Sequence, residues 1–168
     1  MVRRDFLAAS AAAVTAAIGG GLFFRSATAR AKESYPVSLS EEEWRKKLTP
    51  EQFAVLREEA TERPFSSPLN NNKSSGLYVC AGCDTPVYSS EAKFDSGTGW
   101  PSFWEPVSET AVGTRSDYKL ILPRTEVHCA TCGGHLGHVF NDGPPPTGKR
   151  HCINGVALNF RAGATTAS

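Results

Sequence analysis

Glu126-Val127-His128-Cys129-Ala130-Thr131-Cys132-Gly133-Gly134-His135-Leu136-Gly137-His138-Val139-Phe140-Asn141 decides the reading of the fold. A short run, Glu126–Cys129, enters a Cys-x-x-Cys turn, two glycines follow, and a second apolar run, Val139–Asn141, leads away. A strand, a tight turn and a second strand make an antiparallel pattern. Upstream and downstream lie further runs of the same kind: Gly76–Cys80, Pro86–Ser89, Ala111–Arg115, Lys119–Leu122 and Cys152–Phe160. Gly, Pro, Asn and Ser punctuate them, and helix signals vanish from Asn70 onward. The pattern predicts a mainly β chain, folded as a small antiparallel sandwich or barrel.

Helix signals are confined to the stretch before it. Ser40-Glu41-Glu42-Glu43 reads as a capping box opening a short helix through Lys47. Thr49-Pro50-Glu51-Gln52 opens a second, with Phe53, Leu56 and Ala60 at helical spacing and an end before Pro64.

The 168 residues give room for one domain. With 40% apolar and 21% charged residues, the chain is neither a disordered polyelectrolyte nor a membrane bundle. The first 31 residues carry Arg3, Arg4, Arg25 and Arg30 against Asp5 alone, which leaves the remainder with 14 basic and 16 acidic residues. A body at −2 without a Lys/Arg-rich stretch argues against a nucleic-acid partner.

Residues 1–31 read as an export signal, leaving 32–168 as the mature domain. Arg3-Arg4-Asp5-Phe6-Leu7 resembles the twin-arginine signature, Phe6 to Phe24 is apolar, and Ala27-Thr28-Ala29 and Ala29-Arg30-Ala31 both fit the cleavage pattern. An uncleaved anchor is the alternative. The apolar stretch has nearly spanning length, but its seven Ala and three Gly make it weakly hydrophobic. The expected address is periplasmic or otherwise exported, by the twin-arginine machinery.

Five cysteines divide into four and one. Cys80-Ala81-Gly82-Cys83 and Cys129-Ala130-Thr131-Cys132 can each offer two thiolates to one tetrahedral edge, and together they predict a closed, structural Zn2+ site. Two disulfides are the alternative that an exported protein allows. Cys152 stands apart in Arg150-His151-Cys152-Ile153-Asn154. In extended chain Cys152 and Asn154 share a face, and Arg150 and His151 are neighbours that favour a thiolate. A lone cysteine is more often a buried small hydrophobe. His135 and His138, however, add acid–base groups suited to work around a nucleophile. Gly97-Thr98-Gly99-Trp100-Pro101-Ser102-Phe103-Trp104 adds aromatics in a loop, either ordinary core or a rigid wall for a small group such as an S-methyl.

Taken together these segments are long and occur in a telling order. Cys80-x-x-Cys83, Lys93 to Phe103, Cys129 to Gly143 and Arg150 to Asn154 resemble the type B methionine sulfoxide reductases, and the resemblance covers residues 38–161. It implies two small antiparallel sheets with a zinc knuckle pair. It also implies reduction of the R epimer of peptide-bound methionine sulfoxide, with oxidised proteins or peptides as substrates. By the same resemblance Cys152 is the nucleophile and becomes a sulfenic acid. His135, His138 and Asn154 assist and position the departing oxygen, Trp100 packs on the methyl group, and Phe140 joins the substrate site. Many members carry a cysteine where this chain has Thr98, and that cysteine resolves the sulfenic acid as a disulfide. Its absence points to recycling by an external donor, a thioredoxin-like protein or a small thiol. Two other classes compete: a zinc-ribbon binding module with a structural Cys152, and a dithiol oxidoreductase working through a Cys-x-x-Cys pair.

Overall fold

The structure, a computed structural model, describes residues 34–120 and 122–164; the predicted export signal lies outside the described residues. The two predicted helices form where their caps place them: α1, Glu41–Lys47, and α2, Pro50–Glu58. Ser40 accepts from the Glu43 amide while the Glu43 carboxylate accepts from the Ser40 amide, and Thr49 and Gln52 repeat the exchange. Glu59, in the left-handed conformation, stops α2 well ahead of Pro64. No helix among the described residues is long and apolar enough to cross a membrane.

Among the described residues nine strands follow: β1 Gly76–Cys80, β2 Pro86–Ser89, β3 Lys93–Phe94, β4 Ser102–Phe103, β5 Val112–Asp117, β6 Arg124–Cys129, β7 His135–Phe140, β8 Arg150–Ile153 and β9 Leu158–Ala162. They make two antiparallel sheets, β2-β1-β9 and β3-β4-β8-β7-β6-β5. Tyr78 of the first sheet, Phe103, Val127, Leu136 and Ile153 of the second, and Trp44, Phe53 and Leu56 of the helices share one buried core. Tyr88 stacks on Phe103 at 4.4 Å between ring centroids, and Tyr78 meets the same ring edge-on at 5.0 Å.

Three expectations change. The run Cys152–Phe160 is not one strand: the Glu62 carboxylate accepts from the amides of Gly155 and Val156, and the chain turns there from β8 in one sheet to β9 in the other. Lys119, Leu120 and Leu122 lie in the connection between β5 and β6 rather than in a strand, because Asp117 pairs with Arg124 and closes the ladder there. The strand expected at Val139–Asn141 starts earlier, at His135.

Candidate functional site

Pairing places the chemistry in a row. Ser102 faces Cys152, Cys152 faces His138, His138 faces Glu126 and Glu126 faces Arg115, from β4 across to β5. Directly opposed residues share a sheet face, so these side chains lie together while Phe103, His151, Val127 and Ile153 turn to the core. A pocket of about 130 Å³ opens over the row, lined by Thr61, Trp100, Arg124, Gly137, His138, Phe140, Cys152 and Asn154. Cys152, His138, Asn154, Trp100 and Phe140 therefore meet in one pocket.

His135 sits behind them. Three residues apart on a regular strand, His135 and His138 would face opposite ways. The β6–β7 register shifts at Val127/His128, and this irregularity brings the two rings to 5.4 Å on one face. His135 Nδ1 is 2.9 Å from Glu126 Oε1, while its buried Nε2 has no hydrogen-bond partner among the described residues. It does not line the pocket.

Each pocket group is held from outside. His138 Nε2 lies 2.8 Å from Asp117 Oδ2; a carboxylate only accepts, so Nε2 carries the proton and Nδ1 keeps its lone pair. Burial lowers the His138 pKa more than Asp117 raises it, so the ring is neutral near pH 7. Asn154 Oδ1 accepts from the Glu62 amide at 3.0 Å and its Nδ2 donates to the Leu136 carbonyl at 3.0 Å, which leaves one amide hydrogen. The Trp100 indole N–H donates to the Glu62 carbonyl at 3.1 Å, fixing the ring. The Arg150 guanidinium covers the Phe140 ring at 4.5 Å.

Cys152 is half-buried. Burial pushes its thiol pKa up, against the hydroxyl of Thr98 and the charge of Arg150, which lower it. Thr98 Oγ1 is 3.9 Å from Cys152 Sγ and 2.8 Å from Ser96 Oγ, which meets Ser102 Oγ at 2.7 Å. Of the two cationic neighbours expected for Cys152, only Arg150 serves. His151 points to the core face, bonds Tyr88 at 3.1 Å and is held neutral by burial, its pKa lowered to about 4.

Arg124, Thr61, Asp117 and Glu62 are site residues that the sequence did not yield. Arg124 lines the pocket with one amino group 2.6 Å from Asp117, and its Nε is a buried donor without a hydrogen-bond partner among the described residues. Hairpin closure brings Arg124 and Asp117 together, and no local motif signals it.

The other four cysteines converge elsewhere. Their sulfurs lie within 4.8 Å of one another. The short contacts run between the knuckles, Cys80 to Cys132 at 3.7 Å and Cys83 to Cys129 at 3.5 Å. These spacings are far beyond a sulfur–sulfur bond of about 2.05 Å, and all five cysteines are free. They match a tetrahedral edge of about 3.8 Å, which Zn–S bonds of ~2.3 Å dictate. In both knuckles the residue after the second cysteine is left-handed, Asp84 at φ 62° and Gly133 at φ 67°, and its amide donates back to the first cysteine's carbonyl at 2.8 Å. This turn aims the two sulfurs of each knuckle together. Four cysteines are thus positioned to bind a metal ion, and neither Cys-x-x-Cys pair stands alone as a dithiol.

Residues 48–162 match the SelR domain. The chain belongs to the SelR family. A relative from Methanosarcina barkeri is 57% identical over 125 residues, 74% of this chain and 88% of its own. Relatives from Agrobacterium fabrum and Bradyrhizobium diazoefficiens are 56% and 58% identical, over 74% and 72% of this chain and 92% and 87% of theirs. Each of the three bears the name peptide methionine sulfoxide reductase MsrB. The SelR match spans every pocket residue and all five cysteines.

Proposed function

We propose that this chain reduces the R epimer of methionine sulfoxide in oxidised peptides and proteins. The observation that carries the reading is the single pocket that joins a thiol nucleophile, Cys152, to an aromatic wall, Trp100 and Phe140, in a SelR chain. A pocket of about 130 Å³ admits one side chain. Trp100 and Phe140 offer an apolar surface to the S-methyl group, and Arg124 and the remaining Asn154 hydrogen offer donors to the sulfoxide oxygen.

Cys152 attacks the sulfoxide sulfur as a thiolate. Its proton passes to the neutral His138 at Nδ1, with Asp117 holding Nε2–H and steadying the cation that forms. Oxygen, protonated in turn, leaves the substrate sulfur and ends on Cys152 as a sulfenic acid. The substrate gains two electrons and becomes methionine; Cys152 loses two. With Thr98 beside Cys152 in place of a second thiol, an external thiol condenses with the sulfenic acid and releases water. A second equivalent frees Cys152 and leaves as a disulfide. A thioredoxin-like protein or a small thiol fills this role.

Four thiolates with no open position suit Zn2+ in a structural role, held by Cys80, Cys83, Cys129 and Cys132. The twin-arginine pattern at Arg3-Arg4 supports export of the folded, metal-loaded protein, with cleavage near Ala29 or Ala31. Retention of an Arg3→Lys/Arg4→Lys precursor inside the cell tests that route, and normal export of the variant excludes it. The reaction is tested by a stereochemically resolved assay on a methionine sulfoxide peptide with the mature protein. Loss of only the R epimer, and no turnover by a metal-replete Cys152→Ser variant, is the expected result. Equal consumption of both epimers excludes the proposal.

A further inference from the structure

Residues 62–65, just beyond α2, are stitched on two sides. On one side the Phe65 amide donates to the Gly99 carbonyl at 2.7 Å, and the Trp100 indole N–H donates to the Glu62 carbonyl at 3.1 Å. Gly99 has φ +94°, and a Cβ on it would come within 2.8 Å of Pro64 Cβ, so glycine lets the two stretches lie this close. On the other side the Glu62 amide donates to Asn154 Oδ1 at 3.0 Å. The Glu62 carboxylate accepts from the amides of Gly155 and Val156, the second at 3.1 Å. That side is packed as tightly: a Cβ on Gly155 would fall 1.9 Å from Ser67 Oγ.

Glu62 does not itself line the pocket, yet its hydrogen-bonding groups are all committed to the pocket's frame. The N–H of this single residue holds the Asn154 side chain, and its C=O holds the Trp100 ring. The backbones of the two walls are tied independently, by the Ile153 amide to the Pro101 carbonyl and the Asn154 amide to the Leu136 carbonyl, both at 2.9 Å. Those bonds fix where the chain runs. The bonds to Glu62 fix where the side-chain tips of Trp100 and Asn154 point, and its half-buried carboxylate keeps Glu62 itself in place.

A sulfoxide sulfur carries a methyl group, an oxygen, a chain methylene and a lone pair. Exchanging the methyl group and the oxygen turns one epimer into the other. The chain methylene must lead out to solvent and the sulfur must face Cys152, so the remaining choice is which wall receives which group. The R epimer of the proposed reaction sets its methyl group on Trp100 and its oxygen toward Asn154 and Arg124. The S epimer would set oxygen against the indole and leave the donors facing a methyl group. A site built around a hydrogen bond rejects a ligand that leaves its donors unpaired far more strongly than one that merely changes bulk. That rejection needs walls that do not yield, and both walls lean on one residue.

We propose that Glu62 is the positioning residue that sets epimer selectivity, holding Trp100 and Asn154 at a fixed separation so that the methyl group and the oxygen of the sulfoxide cannot trade places. The inference rests on the reductase reading and adds the residue that enforces its stereochemistry.

The test uses the metal-loaded mature protein and the separated R and S epimers of N-acetyl methionine sulfoxide amide. Glu62→Gln keeps the length and offers one acceptor oxygen in place of two; Glu62→Ala removes both. In Glu62→Ala, kcat/KM for the R epimer should fall by about a hundredfold, the cost of misplacing a positioned group by an ångström. In Glu62→Gln it should fall less. The value for the S epimer should stay at its wild-type level in both, so the ratio of R to S drops in the same order. Val87→Ala, a cavity in β2 outside the pocket, should lower stability and leave the ratio intact, because loss of folded protein scales both epimers alike. Circular dichroism and metal content identify folded protein, and Glu62→Gln decides where Glu62→Ala does not fold. A wild-type ratio in a folded Glu62 variant, whatever its rate, overturns the proposal and makes Glu62 a structural pin. A ratio that falls as far in Val87→Ala does so too. Equal consumption of both epimers by the wild type, or of neither, overturns the reductase reading itself, an outcome distinct from an unchanged ratio in the variants.

Discussion

Cys152 is a half-buried thiol. Burial raises its pKa, and the Thr98 hydroxyl and Arg150 offset only part of that. At neutral pH the resting side chain is protonated, and the thiolate fraction grows only above the ordinary range for a cysteine, about 8.5. Alkylation of Cys152 followed against pH should therefore show a midpoint above that of an unfolded thiol. Thr98→Val and Arg150→Met should each move it higher, since each removes a group that favours the anion; a midpoint below the ordinary value would falsify this account. Thr98 has a second consequence. With a hydroxyl 3.9 Å from Cys152 and four other thiols committed to one cluster, a turnover without reductant has no internal partner. About one methionine per chain should form, from the one thiol able to take the oxygen, with a dione-reactive sulfenic acid and the metal retained. An internal disulfide with loss of metal is the contrary result. At this scale the sequence was readable where pocket residues lie in contiguous motifs: Cys152 with Asn154, His138 with Phe140, Trp100 in its glycine-framed loop. It was silent on Arg124 and Asp117, whose meaning depends on which residues a hairpin sets opposite each other. It misjudged His151, because strand alternation sends a residue's immediate neighbour to the other face.

Elements were legible in proportion to the local chemistry that ends them. Both helix starts follow from a hydroxyl and a reaching side chain three residues on, and both capping boxes are present. Gly76–Cys80 and Pro86–Ser89 are bounded by turns, and the strands there have the expected limits. Strands set by pairing rather than by their own residues were less readable. The Cys152–Phe160 run does carry a turn signal, Asn154-Gly155, where the chain leaves β8; that Glu62, distant in sequence, pins this turn is not legible locally. The irregularity in β7 that turns His135 toward His138 is likewise a property of two strands. The caps allow a comparison. Phe53, Val55 and Leu56 of α2 are buried, whereas Trp44 alone is buried in α1. Thr49→Ala should lower stability by about 1 kcal/mol, the usual loss for an N-cap, visible as a lower midpoint in urea. Ser40→Ala should cost less, because fraying of α1 uncovers less core. The reverse order would show that α1 is the more tightly coupled helix.

At the scale of the molecule, the four-cysteine cluster is a fastening between sheets. Cys80 ends β1 in the three-stranded sheet and Cys129 ends β6 in the six-stranded one, and the short sulfur contacts all cross from one knuckle to the other. A metal there ties the two layers together at one end of their shared core, while the β8-to-β9 turn, held by Glu62, ties them again through the residues that follow Cys152. Trp44 and Arg57 bring the helices to the same place: Arg57 donates to the Cys132 carbonyl at 3.1 Å and lies over the Trp44 ring at 4.6 Å. Withdrawing the metal should thus do more than empty a site. Four thiols crowded within 4.8 Å have no neutral arrangement as favourable as four metal-bound thiolates. Sheets, helices and the pocket should loosen together. The expected result of chelation is one equivalent of metal ion released per chain, a lower thermal midpoint, and loss of sulfoxide reduction in parallel with the loss of metal. Cys80→Ser and Cys129→Ser should match one another, since each cuts the tie from a different sheet. A chelated protein with its melting curve intact would show that packing of the shared core alone holds the two sheets in register.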